Sequence, residues 1–253
     1  MKKIKFLAPV LAMFTLLLFS SCKKDAEVYW TAIGTISDVT SPSSFVFHDD
    51  NGVVINIAKT PFVMSLEYQG KRASMTFTRT DAVVQEGDKV MNGTVVYMDF
   101  IKTKDVVSLN QYPTEEERKK ELGMQYITPA KAWFGGGYLN LIYHAGFSDL
   151  NAKREISLAI DGEKSTTDNI YASLYYKADD ANNDYYFSNF ADGMIDFNMK
   201  SFINPSHVVT LTISYIDAES RREDVLVIKS DNSITSKSAA SYATPERINF
   251  TQE

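Results

Sequence analysis

The sequence predicts an all-β protein: a small closed or half-closed barrel, then a β-sandwich, behind an N-terminal export segment. Three observations predict it. Short runs of aromatic and β-branched residues recur along the chain between turn signals, as strands do. Only one stretch, near residues 113–123, carries helix start and stop signals. The first 22 residues read as an address rather than as part of a fold.

The address comes first. Lys2, Lys3 and Lys5 form a basic start, and Phe6 to Phe19 is apolar except for Thr15, with Pro9 inside it. That run is shorter than the ~20 residues a membrane span needs, so it reads as the apolar region of a signal peptide. Ser20-Ser21-Cys22 follows at once, and small residues directly before a cysteine resemble a lipobox. Residues 1–21 are expected to be removed and Cys22, the only cysteine of the chain, to carry the lipid. Several acyl chains anchor stably at ~0.8 kcal/mol per buried CH₂, so the body would be tethered to a membrane face while staying in water. Residues 22–27 form the lipidated linker.

Residues 28–110 read as the first unit. Tyr29 to Ile36 is a strand. Phe45 to His48 and Val53 to Ile57 flank Asp49-Asp50-Asn51-Gly52, where Asn-Gly suits the positive φ angles of a type I′ hairpin turn. Ala73, Met75 and Phe77 alternate with Ser74, Thr76 and Thr78. Glu86-Gly87-Asp88 is a turn, and Val90 to Leu109 gives one long or two broken strands with a bend or bulge at Asn92-Gly93. About five strands in this length suit a small barrel.

Residues 111–125 form a helical connector. Thr114 with Glu117 makes a capping-box pattern, acids fill the first turn, lysines the last, and Gly123 stops the helix. Only Leu122 gives it apolar surface.

Residues 126–253 form the second unit. Ala132 to Tyr143 reads as a strand interrupted by Gly135-Gly136-Gly137, where close backbone approach or a bulge explains the glycines. Strands follow at Glu155–Ile160, Ile170–Lys177, Tyr185–Phe190, Met194–Met199, Val208–Ile216 and Val225–Lys229. Such spacing suggests a sandwich. Residues 230–253 hold at most an edge strand and a tail.

Charge narrows the partners. The formal net charge is −6, and removal of residues 1–21 takes away three lysines and no acid. An acidic body repels phosphate backbones, so no nucleic-acid partner is expected. Catalytic constellations are missing. There is no G-x-S-x-G elbow, no phosphate-binding glycine loop and no thiol beyond Cys22. His48, His144 and His207 stand apart with no second ligand at metal spacing, so no metal and no cofactor is expected. Asp180, Asn182 and Asp184 resemble the start of a calcium loop, but Tyr185 and Ala191 stand where glycine and glutamate belong. Tyr171, Tyr175, Tyr176, Tyr185, Tyr186, Phe187 and Phe190 crowd one region and read first as cross-strand packing.

Four stretches carry a family resemblance: Gly34-Thr35-Ile36; Asp50-Asn51-Gly52; Glu86-Gly87-Asp88-Lys89-Val90 leading to Ile101-Lys102-Thr103-Lys104; and Gly136-Gly137-Tyr138-Leu139-Asn140. With the lipobox they make the chain similar to the NigD-like lipoproteins of Bacteroidota over most of residues 28–230. Lys89, where arginine is commoner, and Tyr126 to Pro129 depart from the pattern. The resemblance implies an OB-type barrel followed by a β-sandwich, and supplies no catalytic residues. The lipobox, the two small β units and the lack of a catalytic constellation point to a non-enzymatic, lipid-anchored protein of the outer membrane, facing the periplasm or the cell surface. Such a protein would act as a binding or accessory module for a glycan, a peptide or an envelope protein. The family's bacteriocin-associated name adds an immunity-type alternative. An envelope glycoside hydrolase is a further alternative, although no carboxylate pair stands out.

Overall fold

The computed structural model describes residues 28–81, 87, 89–147, 153–178, 189–203, 206–230 and 248–249. Cys22, the signal segment and the Asp180–Asp184 loop lie outside the described residues.

The first unit is a five-stranded barrel. Its strands are β1 (Val28–Ser41), β2 (Ser44–Asp49), β3 (Val54–Lys59), β4 (Arg72–Arg79) and β5 (Val90–Phe100). They are ordered β1-β2-β3-β5-β4, and β4 pairs back onto β1 to close the sheet. Only β3 and β5 run parallel; the other barrel pairs are antiparallel. This is the Greek-key barrel of the OB fold. Alternation fills it: Phe45, Phe47, Ile55, Ile57, Met75 and Phe77 are buried, and Met64 joins the same core from the β3–β4 connection.

Two details differ from the sequence reading. In the β2–β3 turn only Gly52 has positive φ, so the turn is not type I′. The buried Asp49 carboxylate instead accepts the N–H groups of Asn51 (2.9 Å) and Val53 (2.7 Å), which fixes the loop and leaves Asp50 at its tip. The β4–β5 bulge lies opposite the Thr76/Phe77 step, where Tyr97 and Val95 are the partners, and a second shift, between Ile57 and Lys59 of β3, falls opposite Gly93 and Thr94. Gly93 serves close approach: a Cβ there would lie 2.7 Å from the Phe77 ring.

The second unit is a sandwich of two sheets. Its strands are β6 (Lys102–Asp105), β7 (Val107–Ser108), β8 (Ile127–Gly135), β9 (Tyr138–Phe147), β10 (Arg154–Ile160), β11 (Asn169–Ala178), β12 (Asn189–Asn198), β13 (Thr210–Ile216) and β14 (Glu223–Lys229). One sheet is ordered β6-β12-β9-β8, the other β14-β13-β11-β10-β7. Between them lies a core that includes Leu139, Leu141, Leu158, Leu174, Phe197, Leu211 and Ile213. Backbone pairing passes to the sandwich before residue 110: β6 pairs with β12 and β7 with β10, both in parallel. A last two-residue strand, β15 (Ile248–Asn249), returns to pair with Val28 and Tyr29 of β1.

The connector forms as its sequence dictates. Helix α1 (Glu115–Glu121) starts with a complete capping box. The Glu117 N–H donates to Thr114 Oγ1 (3.2 Å), and the Thr114 N–H donates to Glu117 Oε2 (3.1 Å). Leu122 packs with Leu109 over Ala159 on the outer face of β10. The glycine run is a correction: Gly136 and Gly137, at φ 58° and 85°, form a turn between β8 and β9 and do not interrupt one strand.

Candidate functional site

The densest polar cluster lies where the barrel meets the sandwich. Arg72, first residue of β4, is the largest fully buried side chain, at 1% exposure. Its Nη1 and Nη2 donate to the two carboxylate oxygens of Asp50 at 2.5 and 2.7 Å, a bidentate pair made within the barrel. Nη1 also reaches Thr35 Oγ1 on β1 (3.4 Å), and two further partners come from the sandwich. Nε donates to Asp196 Oδ2 on β12 (2.6 Å), and Nη2 also donates to Asn140 Oδ1 on β9 (2.6 Å). Asn140 Nδ2 donates back to Asp50 Oδ2 (3.0 Å), and the Tyr138 ring lies 4.7 Å from the guanidinium.

Glycine admits this contact. A Cβ on Gly135 would fall 2.5 Å from Asp50 Cβ, and one on Gly136 would fall 2.7 Å from Asp50 Oδ1. The close approach expected for the glycine run is therefore present, against the tip of the β2–β3 turn.

The cluster is electrostatically unbalanced, with two carboxylates around one guanidinium. Burial opposes the charge on Arg72, but Asp50 and Asp196 outweigh it and hold the guanidinium protonated. Asp50 takes the bidentate contact. Asp196 receives a single N–H, and its Oδ1 has no hydrogen-bond partner among the described residues. Burial, helped by Asp50 and opposed by Arg72, pushes the Asp196 carboxyl up to about 6. An unpartnered, buried carboxylate oxygen is costly, which is why the proton is retained so far above the usual range. The cluster is sealed from solvent, so it binds the two units together and offers nothing to a substrate.

A cleft of about 400 Å³ opens between the two sheets of the sandwich. Ala145, Ile156, Ala191, Met194 and Ile195 supply apolar lining, while Lys102, Tyr143, Arg154, Tyr176 and Asp192 supply the polar groups. The Arg154 guanidinium sits 4.5 Å from the Phe147 ring. Burial raises the Tyr143 phenol above its usual value, against the opposing pull of Arg154. Among the described residues the cleft lining includes no serine, cysteine or histidine and a single carboxylate.

The sequence-identified residues are not brought together. His48 is exposed on β2. His144 pairs with Asp192 (2.8 Å) and stacks on Phe190, and His207 lies 3.1 Å from Asp168. Among the described residues no three His, Cys, Asp or Glu side chains converge as a metal site. The aromatic group divides: Tyr176 is buried in the core, Tyr171 and Phe190 are exposed, and 185–187 lie outside the described residues. The outer positions of β2 and β3, where OB barrels commonly take ligands, carry Ser44, Val46, His48, Val54, Asn56 and Ala58. None of these offers a broad aromatic face for stacking a base.

The family comparison matches residues 110–227 to the NigD-like C-terminal beta sandwich domain. The second unit is similar to that domain. The resemblance read from the sequence is thereby borne out. No curated protein matches the chain. Solved structures share the fold. A candidate toxin-related protein from Parabacteroides distasonis aligns at TM-score 0.61 and 17% identity, over 82% of this chain and 96% of that one. A NigD-like immunity protein from Bacteroides caccae aligns at 0.53 and 13%, over 78% and 91%. A candidate lipoprotein from Bacteroides fragilis aligns at 0.57 and 12%, over 80% and 98%. At these identities the solved structures speak for the fold alone. No helix among the described residues is long and apolar enough to cross a membrane.

Proposed function

We propose that the protein is a non-catalytic, lipid-anchored binding module of the outer membrane, tethered through Cys22, whose ligand enters the sandwich cleft. One observation carries the reading: the cleft lining combines two cations, two phenols and one carboxylate over an apolar floor. Glycoside hydrolysis needs two carboxylates at a set separation, and acyl transfer needs a nucleophile beside a base. The described residues of the lining offer neither, whereas a few polar groups on an apolar floor fit recognition. Lys102 and Arg154 against Asp192 leave the cleft locally cationic on an acidic chain. That suits an acidic sugar or a peptide carboxylate. The outer positions of β2 and β3 carry no broad aromatic side chain, which supports placing the ligand in the sandwich.

Binding of acidic oligosaccharides and peptides, measured by calorimetry on the mature chain, tests this. At least one such ligand should bind, and Arg154→Ala should weaken it about tenfold or more, the range for a charged hydrogen bond. Turnover of the bound glycan by the wild-type protein would sink the non-catalytic part. The immunity reading rests on the name of the Bacteroides caccae structure. Unchanged bacteriocin sensitivity after deletion of the gene would remove it.

A further inference from the structure

Sheet edges are templates for pairing with other chains, and this molecule blunts nearly all of its own. The barrel closes through β1–β4. On the sandwich, β6 is four residues long and reads Lys-Thr-Lys-Asp, and β7 is two residues long beside the connector. The strand β8 carries Pro129 and a register shift between Pro129 and Lys131. Strand β14 is longer than β6 and β7, keeps its charges at its two ends and has neither proline nor a register shift. It holds seven residues, Glu-Asp-Val-Leu-Val-Ile-Lys, without proline or glycine. It pairs with β13 from Thr210↔Lys229 to Ile216↔Glu223 with no shift, and among the described residues no strand pairs with its other edge. Leu226 and Ile228 turn to the core, while Val225 and Val227 stand 53% and 56% exposed.

We propose that β14 is a self-pairing edge, through which two copies of this chain join antiparallel about a twofold axis. The charge order of the strand selects that partner. Antiparallel self-pairing centred on Leu226 sets Val225 against Val227 and places Glu223 opposite Lys229 twice, by the symmetry of the axis. Parallel self-pairing would set like charges together. The two five-stranded sheets become one ten-stranded sheet, and the backbone groups of both edges find partners. A single strand edge is a small interface, so a dissociation constant of about micromolar order is expected.

Sedimentation velocity on the mature chain, from about one to a few hundred micromolar, tests the proposal. The wild type should pass from monomer to dimer within that range. Lys229→Glu should raise the dissociation constant at least tenfold, Glu223→Lys likewise, and the double exchange should restore it. Val227→Lys should abolish the dimer while leaving the melting curve of this exposed position nearly unchanged. A monomer at every concentration overturns the proposal, as does a dimer that none of these variants shifts. Single variants that dissociate the dimer without rescue by the double exchange overturn the antiparallel register.

Discussion

Asp196 shows how one residue can cost stability and still be retained. Its carboxyl titrates at about 6 in the folded chain against 3.8 in its ordinary state. The folded state therefore holds the proton more tightly than the unfolded state. The favourable contribution is fully present below about pH 3.8 and is lost as pH rises through about 6. At neutral pH the ionised group then costs on the order of 2–3 kcal/mol. Asp196→Asn keeps an oxygen for Arg72 Nε and leaves Asp50 as the sole counter-charge. It should raise the midpoint of urea unfolding at pH 7.5 and flatten the stability change between pH 4 and 6. A midpoint lowered at pH 7.5 would refute this reading of the charge balance. Arg72 and Asp196 carried no signal in the sequence, and Asp50 and Asn140 stood there only as parts of a turn and of a family stretch. Period-two alternation puts Ala73, Met75 and Phe77 inside the barrel and Leu139, Leu141, Ile195 and Phe197 inside the sandwich, which puts Arg72, Asn140 and Asp196 outside. They are buried because the outside of one unit meets the outside of the other, a contact between residues up to 124 positions apart.

At the level of elements, local chemistry was the better guide. The capping box at Thr114, the hairpin between β13 and β14 and the solvated connector formed where their residues place them. The two turns that differ do so for physical reasons. The Asp49 carboxylate captures two backbone N–H groups and overrides the Asn-Gly preference. The glycine run turns the chain back on itself, which strand propensity on either side does not reveal. Gly135 also seats Asp50, so Gly135→Ala should destabilise the protein by about 1–3 kcal/mol, the usual cost of overpacking. Chemical denaturation measures it, and an unchanged midpoint would show that the Asp50 turn yields freely. Removing the Asp50 side chain in the same background, by Asp50→Gly, should relieve the clash with the added methyl group, whose three nearest neighbours are all Asp50 atoms.

Across the whole molecule, two β units share one dry, charged contact. A buried charge left without its partner costs about 3–5 kcal/mol, so the Arg72 cluster should make barrel and sandwich unfold together. In the tethered module proposed above, motion at the barrel would reach the cleft through this joint. Differential scanning calorimetry of the mature chain tests the coupling most directly. The wild type should melt in one transition. Arg72→Met, which leaves Asp50 and Asp196 facing each other without a cation, should lower the onset of melting and split the trace into two. A single transition at the wild-type temperature in Arg72→Met would contradict the account.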